Sequence, residues 1–369
     1  MQNSPVVNMW KVGEHFPSLL SLTPQEVSAH LLNDWLPAVP AGQGVAFMGW
    51  PDRLLINEYG RLNLSELVAR TERQWKGVIS WLLGIAGARA YLKADGYRWV
   101  APVSAFFEDV VQPVNVPAWY LSFPKPALTT ARLRPRVLCA DYLAARSSGG
   151  SGPVRWAVVE AKGTKKQLSG SVGCDPKWQA QVRNLRISCD GASLVPDRYL
   201  VIATRVNSKG WDRELKIKAW NNETTQDDQA FSLALPDLVS GHLFGFYYGI
   251  GLLKVAQGIS SSASRRSRGQ KDLAPKAEFV NSIEDDGIRV DEVVRLGGGE
   301  TSAFIELSEP LRRLTEKLVF LDHQDAAMKA IRIADEELDE WWKQNRISDQ
   351  PNTVALPFGI RVKFIGGVG

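Results

Sequence analysis

The run from Trp156 to Lys162, Trp-Ala-Val-Val-Glu-Ala-Lys, is apolar until an acid and a lysine appear two residues apart at its end. Aromatic and β-branched residues in such a run predict a strand. Side chains on a strand alternate faces, so Glu160 and Lys162 must point the same way. Unpaired charge is expensive to bury, so the two need each other, a metal ion or water. The segment Val137 to Ala144 predicts a partner strand across a Ser/Gly-rich turn, and it carries Asp141. These three charges among core-type residues require a sheet with one polar end. An ion pair at a strand end is the plain reading of Glu160 and Lys162. The chain has other such triplets, Asp175-Pro176-Lys177 and Glu214-Leu215-Lys216, so the surroundings must decide.

At 369 residues the chain has room for about two domains of roughly 150 residues each. An apolar fraction of 44% and a charged fraction of 23% match globular usage and supply a core. Cys139, Cys174 and Cys189 are an odd number without a C-x-x-C pair, which fits a reducing cytosol and a cytoplasmic protein rather than a disulfide framework or zinc knuckle. The start, Met1 to Pro5, has no basic and then apolar run, so no signal peptide is expected. The stretch Leu238 to Ala256 contains His242, Lys254 and several glycines. Its apolar part falls short of the roughly 20 residues a bilayer needs, and it predicts a buried helix. From Ala131 to Trp220 stand 17 Lys/Arg against 7 Asp/Glu, within a chain whose net charge is +4. A polyanion such as nucleic acid is the natural partner of that patch.

The periodicities give an order. Pro24 to Leu36 predicts a short helix capped by Thr23 and ended by Pro37. Ser65 to Lys93 predicts a long helix with Trp75, Val78, Leu82 and Ile85 on one stripe, stopped by Asp95-Gly96. Tyr97 to Val103 reads as a strand, and Ser104 to Leu133, broken by prolines, as an irregular insertion. After the paired strands, Asp175 and Pro176 read as the cap and first residue of a helix reaching Ile187. Its apolar stripe is Trp178, Val182 and Leu185; its polar stripe is Lys177, Gln181 and Asn184. Tyr199 to Thr204, nearly all apolar, predicts a central strand. Further on, Ser260 to Lys271 reads as a basic linker, Leu311 to Gln344 as one long helix with an acidic later part, and Thr353 to Phe364 as a closing strand. The expected segments are an N-terminal extension at 1–60, a core at 61–225, a buried helix at 226–258, a basic linker and irregular segment at 259–300, and a C-terminal helical segment with its strand at 301–369.

In Asp141, the apolar Val158-Val159, Glu160-Ala161-Lys162 and the following helix with Gln181, the chain resembles the PD-(D/E)XK nuclease superfamily over roughly Ser65 to Trp220. Ala140 stands where the family often has proline, and Leu185 leaves a Q-x-x-x-Y helix motif incomplete. The resemblance implies an α/β protein with a restriction-endonuclease-like αβββαβ core, its mixed sheet flanked by helices, plus N- and C-terminal helical additions. It implies Mg²⁺ or Mn²⁺ held by Asp141, Glu160 and the Ala161 backbone carbonyl. Glu72 is the candidate for the additional acid that family members place on the first helix. Asp141, Glu160, Lys162 and Gln181 are then the catalytic candidates, with Lys162 holding the attacking water. Arg134, Arg136, Lys165, Lys166 and Lys177 are the candidate phosphate contacts. DNA is the implied substrate, in restriction or anti-phage defence, with a homodimer or a partner protein of a defence system.

Other readings remain open on the sequence. Pro196-Asp197 followed by Glu214-Leu215-Lys216 spells the literal motif more fully, but Glu214 follows Trp211-Asp212-Arg213 and not an apolar strand. A silent nuclease fold serving as a nucleic-acid-binding or adaptor module would keep the architecture without the chemistry. A glycosidase with paired carboxylates would need no metal and gains nothing from the basic surroundings. The motifs of phosphate loops, nucleophile elbows and zincins do not occur.

Overall fold

The computed structural model describes residues 4–32, 51, 54–106, 128–134, 138–147, 154–207, 213–223, 234–268, 294–296, 302–321, 323–346 and 352–365. Its strands are β1 (Val6–Trp10), β2 (Ser18–Ser21), β3 (Leu55–Glu58), β4 (Arg61–Leu64), β5 (Trp99–Pro102), β6 (Leu128–Arg132), β7 (Tyr142–Ser147), β8 (Val154–Thr164), β9 (Leu185–Cys189), β10 (Ala192–Leu194), β11 (Arg198–Arg205), β12 (Lys216–Glu223), β13 (Val294–Leu296), β14 (Ser302–Leu307), β15 (Thr353–Leu356) and β16 (Ile360–Ile365). The large mixed sheet runs β3-β4-β1-β12-β11-β8-β7-β5, with β2 added against β1. β8 pairs in parallel with β11 and antiparallel with β7, and β11 pairs antiparallel with β12. Two smaller sheets have the orders β10-β9-β6 and β13-β14-β16-β15.

The helices are α1 (Pro24–Leu31), α2 (Glu66–Arg70), α3 (Arg73–Ala94), α4 (Pro176–Arg183), α5 (Leu235–Gly249), α6 (Leu253–Arg268), α7 (Glu309–Phe320) and α8 (Gln324–Asn345). The chain is thus a mixed α/β protein: a large mixed sheet flanked by helices, with smaller sheets beside it. Strand alternation divides its interior. Ala157, Val159 and Ala161 join α3 in one apolar core, whereas Val154, Trp156 and Val158 join α4, α5 and the C-terminal helices in the other. β8 is buried on both faces, as a run without polar alternation requires.

Local signals explain the ends. Thr23 and Glu26 form a reciprocal capping box at α1, Asp175 accepts from the Lys177 amide at the head of α4, and Gly96 takes φ +84° just past α3. Among the described residues no helix is long and apolar enough to cross a membrane. The apolar stretch near Leu243 is α5, buried throughout and ended at Gly249.

Several expectations are corrected. The segment before Asp141 is not strand: β7 starts at Tyr142, because the Leu138 carbonyl accepts from the Asn184 side chain instead of a neighbouring strand. The helix after Asp175 stops at Arg183, and Leu185 to Cys189 form β9 between β6 and β10. Leu128 to Arg132, expected to be irregular, form β6. The prolines at 113, 117, 124 and 126 lie outside the described residues. Trp75 is 51% exposed, since the buried part of α3 begins at Ile79. The serine- and arginine-rich run after Ser260 continues α6 to Arg268, and Arg266 is buried, donating to the Leu318 carbonyl at 2.6 Å and the Ser240 hydroxyl at 2.8 Å. A single helix from Leu311 to Gln344 would extend about 50 Å. The helix instead stops at Phe320 and a second one starts at Gln324, so that α7 and α8 pack together and bury Leu314, Leu318, Ile331 and Leu338. The closing strand is a hairpin, β15 and β16, in a separate sheet, with Gly359 at φ +94° in its turn. The N-terminal segment contributes β1, β2 and β3 to the large sheet, where they join β4 from the start of the expected core.

Candidate active site

α3 crosses β8 one residue beyond Lys162, backbone against backbone. A Cβ on Gly163 would lie 1.8 Å from the Ser80 carbonyl oxygen, and one on Gly84 would lie 2.4 Å from the Gly163 nitrogen. This crossing fixes the end of β8 that carries the charges. Glu160 and Lys162 point away from α3, on the face covered by α4. They form an ion pair through Oε1 of Glu160, whose side chain is 1% exposed against 24% for that of Lys162.

Asp141 meets them from the next strand. The last pair of the β7–β8 ladder is Tyr142 with Val159, so one step further Asp141 stands beside Glu160. Its amide donates to the Val159 carbonyl at 3.0 Å, and its carbonyl accepts from the Val103 amide at 2.9 Å. Its carboxylate Oδ2 accepts from the Ala161 amide at 2.8 Å. The acid thus takes the place of the missing ladder partner where β8 runs past β7.

Electrostatically the pair is strained. Burial first, then the neighbouring Asp141 charge, raise the Glu160 carboxyl to about 8, while Lys162 pulls it down. Oε2 of Glu160 is fully buried, and the carboxyl shares a side-chain hydrogen bond with Asp141. Among the described residues no group of three or more His, Cys, Asp or Glu is placed to hold a metal. The oxygen donors present are the two carboxylates and the Ala161 carbonyl. In a ladder the amide and carbonyl of one residue leave the strand on the same edge, so that carbonyl faces the Asp141 side.

The remaining candidates are distributed around this centre. Gln181 is buried on α4, which packs on β8 and β11. Glu72 is exposed at the N-cap of α3, about 12 Å along the helix from Ser80 and on the helix that covers the opposite sheet face. Arg134, Lys165 and Lys177 are exposed. Lys166 is bound to Asp175 at 2.7 Å and lies over the Trp178 ring. Arg136 lies outside the described residues.

Three residues that the sequence reading left without a role support the site. Asn184 fastens the segment leading to Asp141, its Oδ1 accepting from the Arg134 amide at 2.8 Å and its Nδ2 donating to the Arg134 carbonyl at 3.1 Å. Lys218 is buried, and its ammonium donates to the carbonyls of Ser169, Gly170 and Val172 at 2.6–2.9 Å, holding the loop between β8 and α4. Arg132 hydrogen-bonds to the thiol of Cys139, which burial pushes up and which lies within range of the charges on Glu160 and Asp141. An acidic or basic residue in an alternating strand was the only available signal for Lys218 and Arg132.

The competing motif is dispersed. Asp197 and Glu214 stand beyond opposite ends of the β11–β12 ladder, roughly 33 Å apart along the strands. Asp197 accepts from the Trp156 amide at 2.7 Å, and Glu214 binds Asn8 at 3.0 Å and Arg61 at 3.4 Å. Both acids serve strand ends.

The chain matches no protein-family model and no curated protein sequence.

Proposed function

We propose that the chain is a metal-dependent nuclease hydrolysing phosphodiester bonds of DNA on a restriction-endonuclease-like core. In support, α3, β5, β7, β8, α4 and β11 follow one another in the αβββαβ order, with β6, β9 and β10 added as a small side sheet. The observation that carries the reading is the Glu160 carboxyl: buried, with a second carboxylate and an amine held against it. Two carboxyl groups crowded together out of water cannot both ionise without cost, and a cation between them would remove that cost.

Two carboxylates and a backbone carbonyl are hard oxygen donors of the kind that suit Mg²⁺ or Mn²⁺. Asp141, Glu160 and Ala161 would hold the ion, which when bound would acidify a water and offset charge on the phosphate. Lys162 is the partly exposed member of the group, so it would hold the attacking water and balance negative charge as it builds on phosphorus. Gln181, on the helix above, would orient Glu160 or touch the phosphate backbone. Arg134, Lys165 and Lys177, all exposed, would contact phosphates without reading sequence, and binding through them weakens steeply with salt. A role in restriction or anti-phage defence rests on the resemblance alone.

The test is incubation of wild-type protein and Lys162→Ala with plasmid, linear and single-stranded DNA, with and without Mg²⁺. Cutting that needs the metal and falls by roughly 10²–10⁴ in the variant supports the reading. Metal-independent cutting, or full activity in Lys162→Ala, overturns it. DNA binding without cutting under any metal supports the silent adaptor module instead.

A further inference from the structure

The side sheet β10-β9-β6 has two unlike faces. Leu128 and Thr130, then Leu185, Ile187 and Cys189, are buried on one of them, as is Leu194. Strand alternation turns the residues between them to the other side. There the register lines up Thr129, Ser188 and Ser193 across the three strands and sets Arg186 opposite Ala131. Arg186 and Ser193 are exposed, and the Thr129 and Ser188 hydroxyls lie 2.9 Å apart.

Charge is spread unevenly over this sheet. Residues 128–134 and 183–194 hold Arg132, Arg134, Arg183 and Arg186, all exposed, against a single acid, Asp190. The arginines gather where α4 passes into β9, whereas Asp190 stands just past the far end of β9, about 14 Å from Leu185. Four like charges repel one another, and a polyanion laid against them relieves the repulsion. The same end of the sheet is joined to the site. Asn184, between α4 and β9, donates through Nδ2 to the Leu138 carbonyl at 3.4 Å, and Leu138 is three residues from Asp141, no more than about 11 Å of chain.

The side chains on this face select the polyanion. Arginine forks and small hydroxyls are groups that contact phosphate oxygens. Among its described residues the face carries no aromatic ring, so it offers neither a platform for unstacked bases nor an anchor of the kind that centres a protein interface. Three strands span about 10 Å between their outer axes before side chains are added. That is too broad for a major groove about 12 Å wide, which admits a two-stranded ribbon, so such a sheet lies along the backbones.

We propose that the outer face of the β10-β9-β6 sheet, with Arg183 and Arg186, is the docking surface for the phosphate backbone of duplex DNA. It holds a duplex without reading its sequence. This deepens the nuclease reading and rests on it for the identity of the polymer. Three variants are compared with wild type: Arg183→Gln with Arg186→Gln, Ser193→Asp, and Lys329→Gln with Lys343→Gln on α8, which removes the same two charges elsewhere. All five positions are exposed, and thermal melts check the fold of each variant. Binding of two unrelated labelled duplexes, of an oligo-dT strand and of polyglutamate is measured over a range of salt without metal, and cleavage of the duplexes with Mg²⁺. The arginine pair is expected to lower the salt slope of duplex binding by about 2, equally for both sequences. Ser193→Asp is expected to weaken duplex binding on the order of 10-fold, and the lysine pair to leave it unchanged. Wild type is expected to prefer duplex to oligo-dT. A wild-type slope in the arginine pair, an equal loss in the lysine pair, a preference for oligo-dT or absence of duplex binding overturns the inference. Loss of polyglutamate binding alone in the arginine pair also overturns it and gives the face to an acidic protein. If wild type binds duplex but never cuts it, the nuclease reading falls while the slopes still decide the docking face; if it cuts and the slopes do not differ, the docking face falls alone.

Discussion

Glu160 holds its proton into the neutral range because burial and Asp141 together outweigh Lys162. The sign of its effect on stability follows. Between its ordinary value of 4.5 and its folded value of about 8, the folded state retains a proton that the unfolded chain releases, so the carboxyl's contribution declines as pH rises through that window. Glu160→Gln, which cannot ionise, is expected to melt at a higher temperature than wild type above pH 8 and to lose that advantage near pH 4.5; thermal melts across pH check this. A metal must displace the proton before it binds. Mn²⁺ is therefore expected to raise the wild-type Tm more at pH 8 than at pH 6, and not to raise that of Glu160→Gln; equal shifts at both pH values would count against metal at this carboxylate. Glu160 and Lys162 were legible in the sequence because a period of two leaves their shared face no freedom. The part played by Asn184 was not, since nothing local states that the residue ending α4 fastens the segment leading to Asp141.

At the scale of elements, the site depends on how closely α3 approaches β8. Gly163→Ala would set a methyl group against the Ser80 carbonyl, a backbone atom that cannot rotate away. The expected cost is about 3 kcal/mol or more, read from urea denaturation. Gly173→Ala, with open space around the new carbon, is expected to stay within about 0.5 kcal/mol of wild type. α4 shows why element ends were harder to read than elements. Leu185 continues the helical stripe of Trp178 and Val182, yet it also begins the alternation Leu185, Ile187, Cys189, whose members are buried while Arg186 is exposed. Both periods fit one residue. Pairing with β6 decided in favour of the strand, and that pairing is nonlocal. α6 teaches the complementary lesson, because Arg266 looks solvated in sequence and is buried only where Leu318 and Ser240 offer oxygens to it.

In the whole molecule, the C-terminal helices are tied to the edge of the large sheet. Asp335 on α8 accepts from Arg98 at 2.7 Å and from the Trp99 indole at 3.1 Å, and Arg98 also bonds Asp339. Asp335→Ala removes one partner of a buried pair, with an expected cost of about 3–5 kcal/mol in denaturant unfolding. Nearby, His242 on α5 packs edge-on against Trp99 and Phe358 and accepts from the Val100 amide at 3.0 Å. Burial lowers it from 6.5 to about 3, with Arg89 adding to the effect and the Val100 backbone opposing it. The unfolded chain binds this proton first, so stability is lost as pH falls from 6.5 toward 3. His242→Gln is expected to flatten the acid side of the Tm profile; an unchanged acid slope would mean that other groups set it. The sequence by itself determined the strands on either side of the site, the shared face of Glu160 and Lys162, and the caps of α1 and α4, because period and capping act over a few residues. Only the tertiary structure decided that Asp141 meets Glu160, that Asp197 and Glu214 stand far apart, and that the N-terminal strands complete the sheet. Pairing register and helix crossing join residues distant along the chain, and their energies are set by partners that no local pattern names.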